Sequence, residues 1–96
     1  MSAANRIIEQ LKTAKQSLVM QYHINELALF GSYSRGEEHP DSDIDLLVTF
    51  SQPIGVGFID LADELEKILH KKVDLVSRNA IKPKYFQAIK DQLIYV

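Results

Sequence analysis

Two carboxylates, Asp43 and Asp45, open an apolar run in SDIDLLVTF, residues 42–50. Side chains alternate between the faces of a strand, so residues two apart point the same way. Carboxylates held that close repel, and one keeps a proton unless a cation neutralises the pair. Mg2+ suits such a pair, because it takes oxygen ligands from one or two carboxylates plus substrate phosphates. Ten residues separate Asp43 from Gly31-Ser32, which closes an earlier apolar run, ELALF. A glycine there lets the backbone approach a ligand and permits positive φ. The N–H groups that follow, with the Ser32 hydroxyl, are placed to donate to phosphate oxygens. A third carboxylate, Asp74, lies inside VDLV, residues 73–76, where an acidic residue is costly unless it has a use.

A phosphate on the Gly31-Ser32 turn and a metal on the carboxylates form complementary halves of a nucleoside-triphosphate site. Nucleotidyl transfer needs a metal to align the phosphates and a second metal or a base to activate the attacking hydroxyl. Ions about 3.5–4 Å apart must share a ligand, which Asp43 and Asp45 are suited to provide, with Asp74 beside the hydroxyl. Each piece also has a plain reading. An Asp at a strand start is usually a solvated end, Ser42-Asp43 can close a loop, and Gly-Ser after a strand is commonly a turn. The combination is far more specific than its parts.

These residues need a scaffold. Apolar residues at helical spacing, including Ile7, Ile8, Leu11, Leu18 and Tyr22, predict a first helix from about Ala4 to Tyr22. His23 to Asn25 reads as a connector. Short apolar runs predict strands at Glu26–Phe30, Ile44–Phe50 and Val73–Val76. Gly31 to Asp41 reads as a loop, with at most one helical turn. Phe58, Leu61, Leu65 and Leu69 line a second helix, acidic early and basic late as the helix dipole favours. Pro83 opens a last short helix to about Lys90, and Leu93–Val96 reads as a fourth, edge strand. The order predicts an α+β (α/β sandwich) fold, with a mixed β-sheet of three to four strands and helices packed mainly on one face.

Composition bounds the rest. The 96 residues suffice for one domain, 1–96, and 46% of them are hydrophobic, as a packed core requires. A net charge of −2 argues against a non-specific nucleic-acid binder. With no cysteine, disulfides and thiolate metal sites are excluded. There is no signal-peptide h-region and no apolar run near the ~20 residues that span a bilayer, so a soluble cytoplasmic protein without a membrane partner is expected.

Gly31-Ser32, ten residues, then Asp43-x-Asp45 resembles the signature of the nucleotidyltransferase superfamily related to DNA polymerase β. The fuller string GSYSRGEEHPDSDIDLLV is similar to the minimal nucleotidyltransferases of bacteria and archaea, which often run Gly-Ser-x-Ala-Arg-Gly and then Ser-Asp-Ile-Asp-Leu; Ser34 stands where alanine is frequent. The resemblance covers the whole chain and implies the nucleotidyltransferase fold, Mg2+ (two ions) held by Asp43, Asp45 and Asp74, and ATP as co-substrate. Small stand-alone members resemble antitoxins of type VII-like toxin–antitoxin modules whose partners are HEPN-domain ribonucleases. The implied activity is transfer of AMP from ATP to a tyrosine of that toxin. Alternatives are a non-catalytic antitoxin that neutralises by binding alone, or transfer to a small molecule or RNA end.

Arg35 lies close enough to Ser32 to reach a phosphate or to hold the loop. Glu37, Glu38 and His39 read as a solvated loop surface, and His23 and His70 as capping or surface residues. Arg78, Lys82 and Lys84 read as a solvated loop that could also meet a triphosphate or an acidic partner. Tyr85 and Phe86 read as core or interface anchors.

Overall fold

A computed structural model describes residues 2–96; Met1, the first residue of the expected domain, lies outside them. Helix α1 runs Ala3–Tyr22 and starts at Ser2, whose hydroxyl accepts from the Asn5 N–H at 3.0 Å. That bond satisfies one donor left free at a helix start. Its buried stripe is Ile7, Ile8, Leu11, Leu18 and Tyr22. His23 ends the helix in the left-handed region (φ 56°) and donates its N–H to the Val19 carbonyl. His70 ends helix α3 (Gly57–Leu69) the same way, so both histidines cap, as their positions predict.

Strand β1 is Ile24–Phe30 and strand β2 is Ile44–Phe50. They pair antiparallel, and Ile24 sits opposite Phe50, so β1 starts inside the expected connector. The turn after β1 is helix α2, Ser32–Arg35, the single helical turn allowed for that loop. Strand β3, Val73–Ser77, lies parallel to β2. Helix α4 is Pro83–Ile89, followed by a 3-10 turn at Lys90–Gln92. The last apolar run contributes only a two-residue strand, β4 (Ile94–Tyr95), antiparallel to β1. The sheet order is β3-β2-β1-β4.

Alternation along β2 divides the molecule. Ile44, Leu46 and Val48 face α1 and α3 and form the main core with Leu11, Leu61 and Leu65. Leu47 faces the other way and packs with Phe30 and Ile89 in a smaller cluster that includes Phe86. The two long helices therefore cover one face, while short α4 covers only part of the other. Burying each leucine stabilises the fold by about 1.5–3 kcal/mol, so this alternation fixes the register of β2 and commits Asp45 to the thinly covered face. Among the described residues, no helix is long and apolar enough to cross a membrane.

Candidate functional site

Backbone pairing brings the carboxylates together. The Ile44 N–H donates to the Lys72 carbonyl at 2.9 Å, which sets the start of the parallel ladder. In that register Asp45 stands directly beside Asp74. Asp43 precedes β2 by one residue, and Ser42 holds the loop before it by accepting from the His39 N–H at 2.8 Å. On its other side Asp45 pairs with Phe30, so Gly31 follows immediately at the end of β1.

Gly31 lies hard against Asp45. Its φ is +77°, a conformation that L side chains rarely adopt. A Cβ placed on it would overlap the Asp45 Oδ2 and come within 2.9 Å of the carboxyl carbon. The turn is locked from within, as the Ser34 hydroxyl and the Arg35 N–H donate to the Gly31 carbonyl at 3.0 and 3.2 Å. Ser34 thus acts through its hydroxyl where alanine would have none.

A cleft of about 290 Å³ opens here, lined by Gly31, Ser32, Arg35, Asp45, Tyr85 and Gln92 among others. A larger cavity of about 530 Å³ lies between α1, Tyr33 and Leu69, but none of the six candidate site residues lines it. The structure thus groups Gly31, Ser32, Arg35 and Asp45 in one cleft, with Asp74 and Asp43 beside Asp45.

The electrostatics mark an under-neutralised cluster. The Asp45 carboxyl is pushed up from 3.8 to about 6. Burial is the largest cause, followed by the negative charges of Asp74 and Asp43 and by hydrogen bonding to Asp74; the Arg35 charge opposes them. A group of oxygen donors with excess negative charge suits a hard divalent cation. Among the described residues, no group of three or more acidic, histidine or cysteine side chains is placed to hold a metal ion.

Sequence reasoning missed Gln92. Its Oε1 accepts from the Gly31 N–H at 2.8 Å and from the Arg35 Nη1 at 2.9 Å. No local pattern marks it, because both partners lie far away in the chain. Arg35 also pairs through Nε with Glu37 at 2.6 Å, so Glu37 does more than solvate the loop. Tyr85 is not core: it is 47% exposed at the cleft, because the side of α4 that carries Ile89 faces the sheet. Arg78 stacks its guanidinium 3.7 Å from the centre of the Phe86 ring, and Lys82 and Lys84 are exposed.

The nucleotidyltransferase domain model matches residues 6–96. The chain is 40% identical to a candidate protein adenylyltransferase of Methanocaldococcus jannaschii over the full length of both. It is 38% identical to the protein adenylyltransferase MntA of Thermococcus cleftensis, over 93% of this chain and 92% of that one. Two solved structures share the fold. One, a toxin–antitoxin crystal structure with AMP-PNP, superposes with a TM-score of 0.70 at 28% identity, over 97% of this chain and 71% of that one. The other is a complex of tri-AMPylated Shewanella oneidensis HEPN toxin with MNT antitoxin, with a TM-score of 0.60 at 26% identity over 96% and 66% of the two chains. With the Gly31-Ser32 turn set against Asp45 and Asp45 beside Asp74, these matches establish that the chain belongs to the nucleotidyltransferase domain family.

Proposed function

We propose that residues 1–96 act as one domain, a Mg2+-dependent protein adenylyltransferase in the cytoplasm that serves as the antitoxin to a HEPN-domain ribonuclease. It transfers AMP from ATP to a tyrosine of that toxin. The observation that carries this reading is the contact of the Gly31 backbone with the Asp45 carboxylate, which sets a phosphate-binding turn against an acidic cluster. The family membership and the MntA relatives support the same assignment.

In the reaction, the tyrosyl oxygen attacks the α-phosphorus of ATP. The bond from that phosphorus to the bridging oxygen breaks, and diphosphate leaves. The Gly31 and Ser32 N–H groups and the Arg35 guanidinium hold the β- and γ-phosphates. Asp43 and Asp45 would hold Mg2+, which neutralises the phosphates and aligns them when bound. Asp74, exposed at the open side of the sheet, takes the proton of the attacking hydroxyl. The shallow cleft leaves the acceptor to be supplied by the partner.

The test is intact-mass spectrometry of the product of the gene adjacent to this chain's own, after incubation of the two proteins with Mg2+ and ATP. The expected result is one or more AMP adducts, absent with Asp43→Asn or Asp45→Asn. A partner without adducts under wild-type conditions overturns the reading. Neutralisation retained by Asp45→Asn would favour binding alone.

A further inference from the structure

Gly31 and Arg35 both line the cleft, yet each donates to a side chain of the same molecule. The Gly31 N–H and the Arg35 Nη1 converge on one atom, the Gln92 Oε1, at 2.8 and 2.9 Å. Both neighbours are donors, so the amide must present its oxygen there rather than its nitrogen. Two donors meeting at one oxygen is the arrangement that recognises a phosphate oxygen. An amide oxygen is a weaker acceptor than a charged phosphate oxygen for the same donors. Gln92 is half-buried in the 3-10 turn after α4 and lines the cleft with Asp45.

We propose that Gln92 is an internal substitute for a phosphate oxygen, which a nucleoside triphosphate must displace, and that it therefore sets nucleotide affinity. The inference rests on the reading that Gly31 and Arg35 receive the triphosphate. With the cleft empty, the amide satisfies two donors that would otherwise face a partly desolvated space. When the triphosphate arrives, Gln92 gives up both bonds and the phosphate takes them. Arg35 keeps its place through its second partner, Glu37 Oε1 at 2.6 Å. Gln92 is thus a competitor of the substrate, and it shapes the cradle only while the cradle is empty.

Calorimetric titration of the whole chain with Mg2+ and a non-hydrolysable ATP analogue tests this, using wild type, Gln92→Leu and Gln92→Glu. Leucine removes the competing acceptor and tightens binding about tenfold, the effect of losing one charge-assisted hydrogen bond. Glutamate pairs more strongly with Arg35 and repels the triphosphate, weakening binding by about tenfold or more. A brace that merely supports the fold would weaken binding in both variants. That result, or two unchanged affinities, overturns the proposal while leaving the proposed function standing. A wild-type chain that binds no nucleotide removes both. A measurement on wild type alone guards against variants that misfold. Saturating nucleotide should shift the NMR signals of the Gln92 side-chain amide and the Gly31 N–H together. A Gln92 signal that stays in place overturns the proposal.

Discussion

At the residue scale, Gly31 and Gly36 separate two reasons for needing glycine. Both have positive φ, +77° and +73°, but only at Gly31 would a Cβ strike anything, and there it meets Asp45. Gly36→Ala therefore carries the left-handed cost alone, about 1–2 kcal/mol, and should retain AMP transfer. Gly31→Ala carries that cost and also drives Asp45 out of line with Asp74. It should lose about 2 kcal/mol or more in urea unfolding and more than tenfold in transfer rate. Equal loss of activity in the two variants would show that strain, and not the contact with Asp45, matters. Gly31, Asp43 and Asp45 were legible in the sequence because their spacing lies within one strand–turn–strand segment. Gln92 was not, because it reaches Gly31 from 61 positions away and no short-range pattern encodes that meeting.

At the scale of elements, sequence patterning served β2 best, and Ile44–Phe50 matches the expected strand at both ends. Burial on both faces makes its apolar run nearly continuous, with Leu46, Leu47 and Val48 buried in succession, which is a local signal. The start of β1 was hidden because Ile24 joins the sheet through Phe50, across a register irregularity. Asp74 was legible as an odd residue in an apolar run, but its place beside Asp45 depends on the parallel register of β2 and β3. Away from the site, α1 and α3 are tied by the Tyr22 hydroxyl, which donates to Glu64 Oε2 at 2.7 Å. That bond is the main reason the Tyr22 phenol is pushed up to about 12. Tyr22→Phe should cost about 0.5–1.5 kcal/mol in chemical denaturation and leave AMP transfer at the wild-type rate. A change in transfer would mean that the helix layer communicates with the opposite face of the sheet.

At the scale of the whole molecule, the acidic cluster makes stability depend on pH, and the sign follows from Asp45. Its carboxyl titrates at about 6 in the fold, against 3.8 without the fold's influence. Below 3.8 both states hold the proton and Asp45 costs the fold nothing. Between those values the folded state keeps the proton that the unfolded chain has released, so stability falls as pH rises. Above about 6 both states are ionised, and the fold bears the full cost of a half-buried carboxylate beside Asp74 and Asp43. Asp45→Asn removes that cost while keeping the shape. In EDTA at low salt, the variant should melt higher than wild type at about pH 8, and the difference should shrink towards pH 4. Salt should reduce it, because the cluster is partly open to solvent. Adding Mg2+ at pH 8 should raise the melting temperature of wild type and leave Asp45→Asn nearly unmoved, since a ligand stabilises only the state that binds it. A variant that melts lower than wild type at pH 8 in EDTA would mean that Asp45 supports the fold as an anion, and the acidic cluster would then be structural rather than a site awaiting a cation.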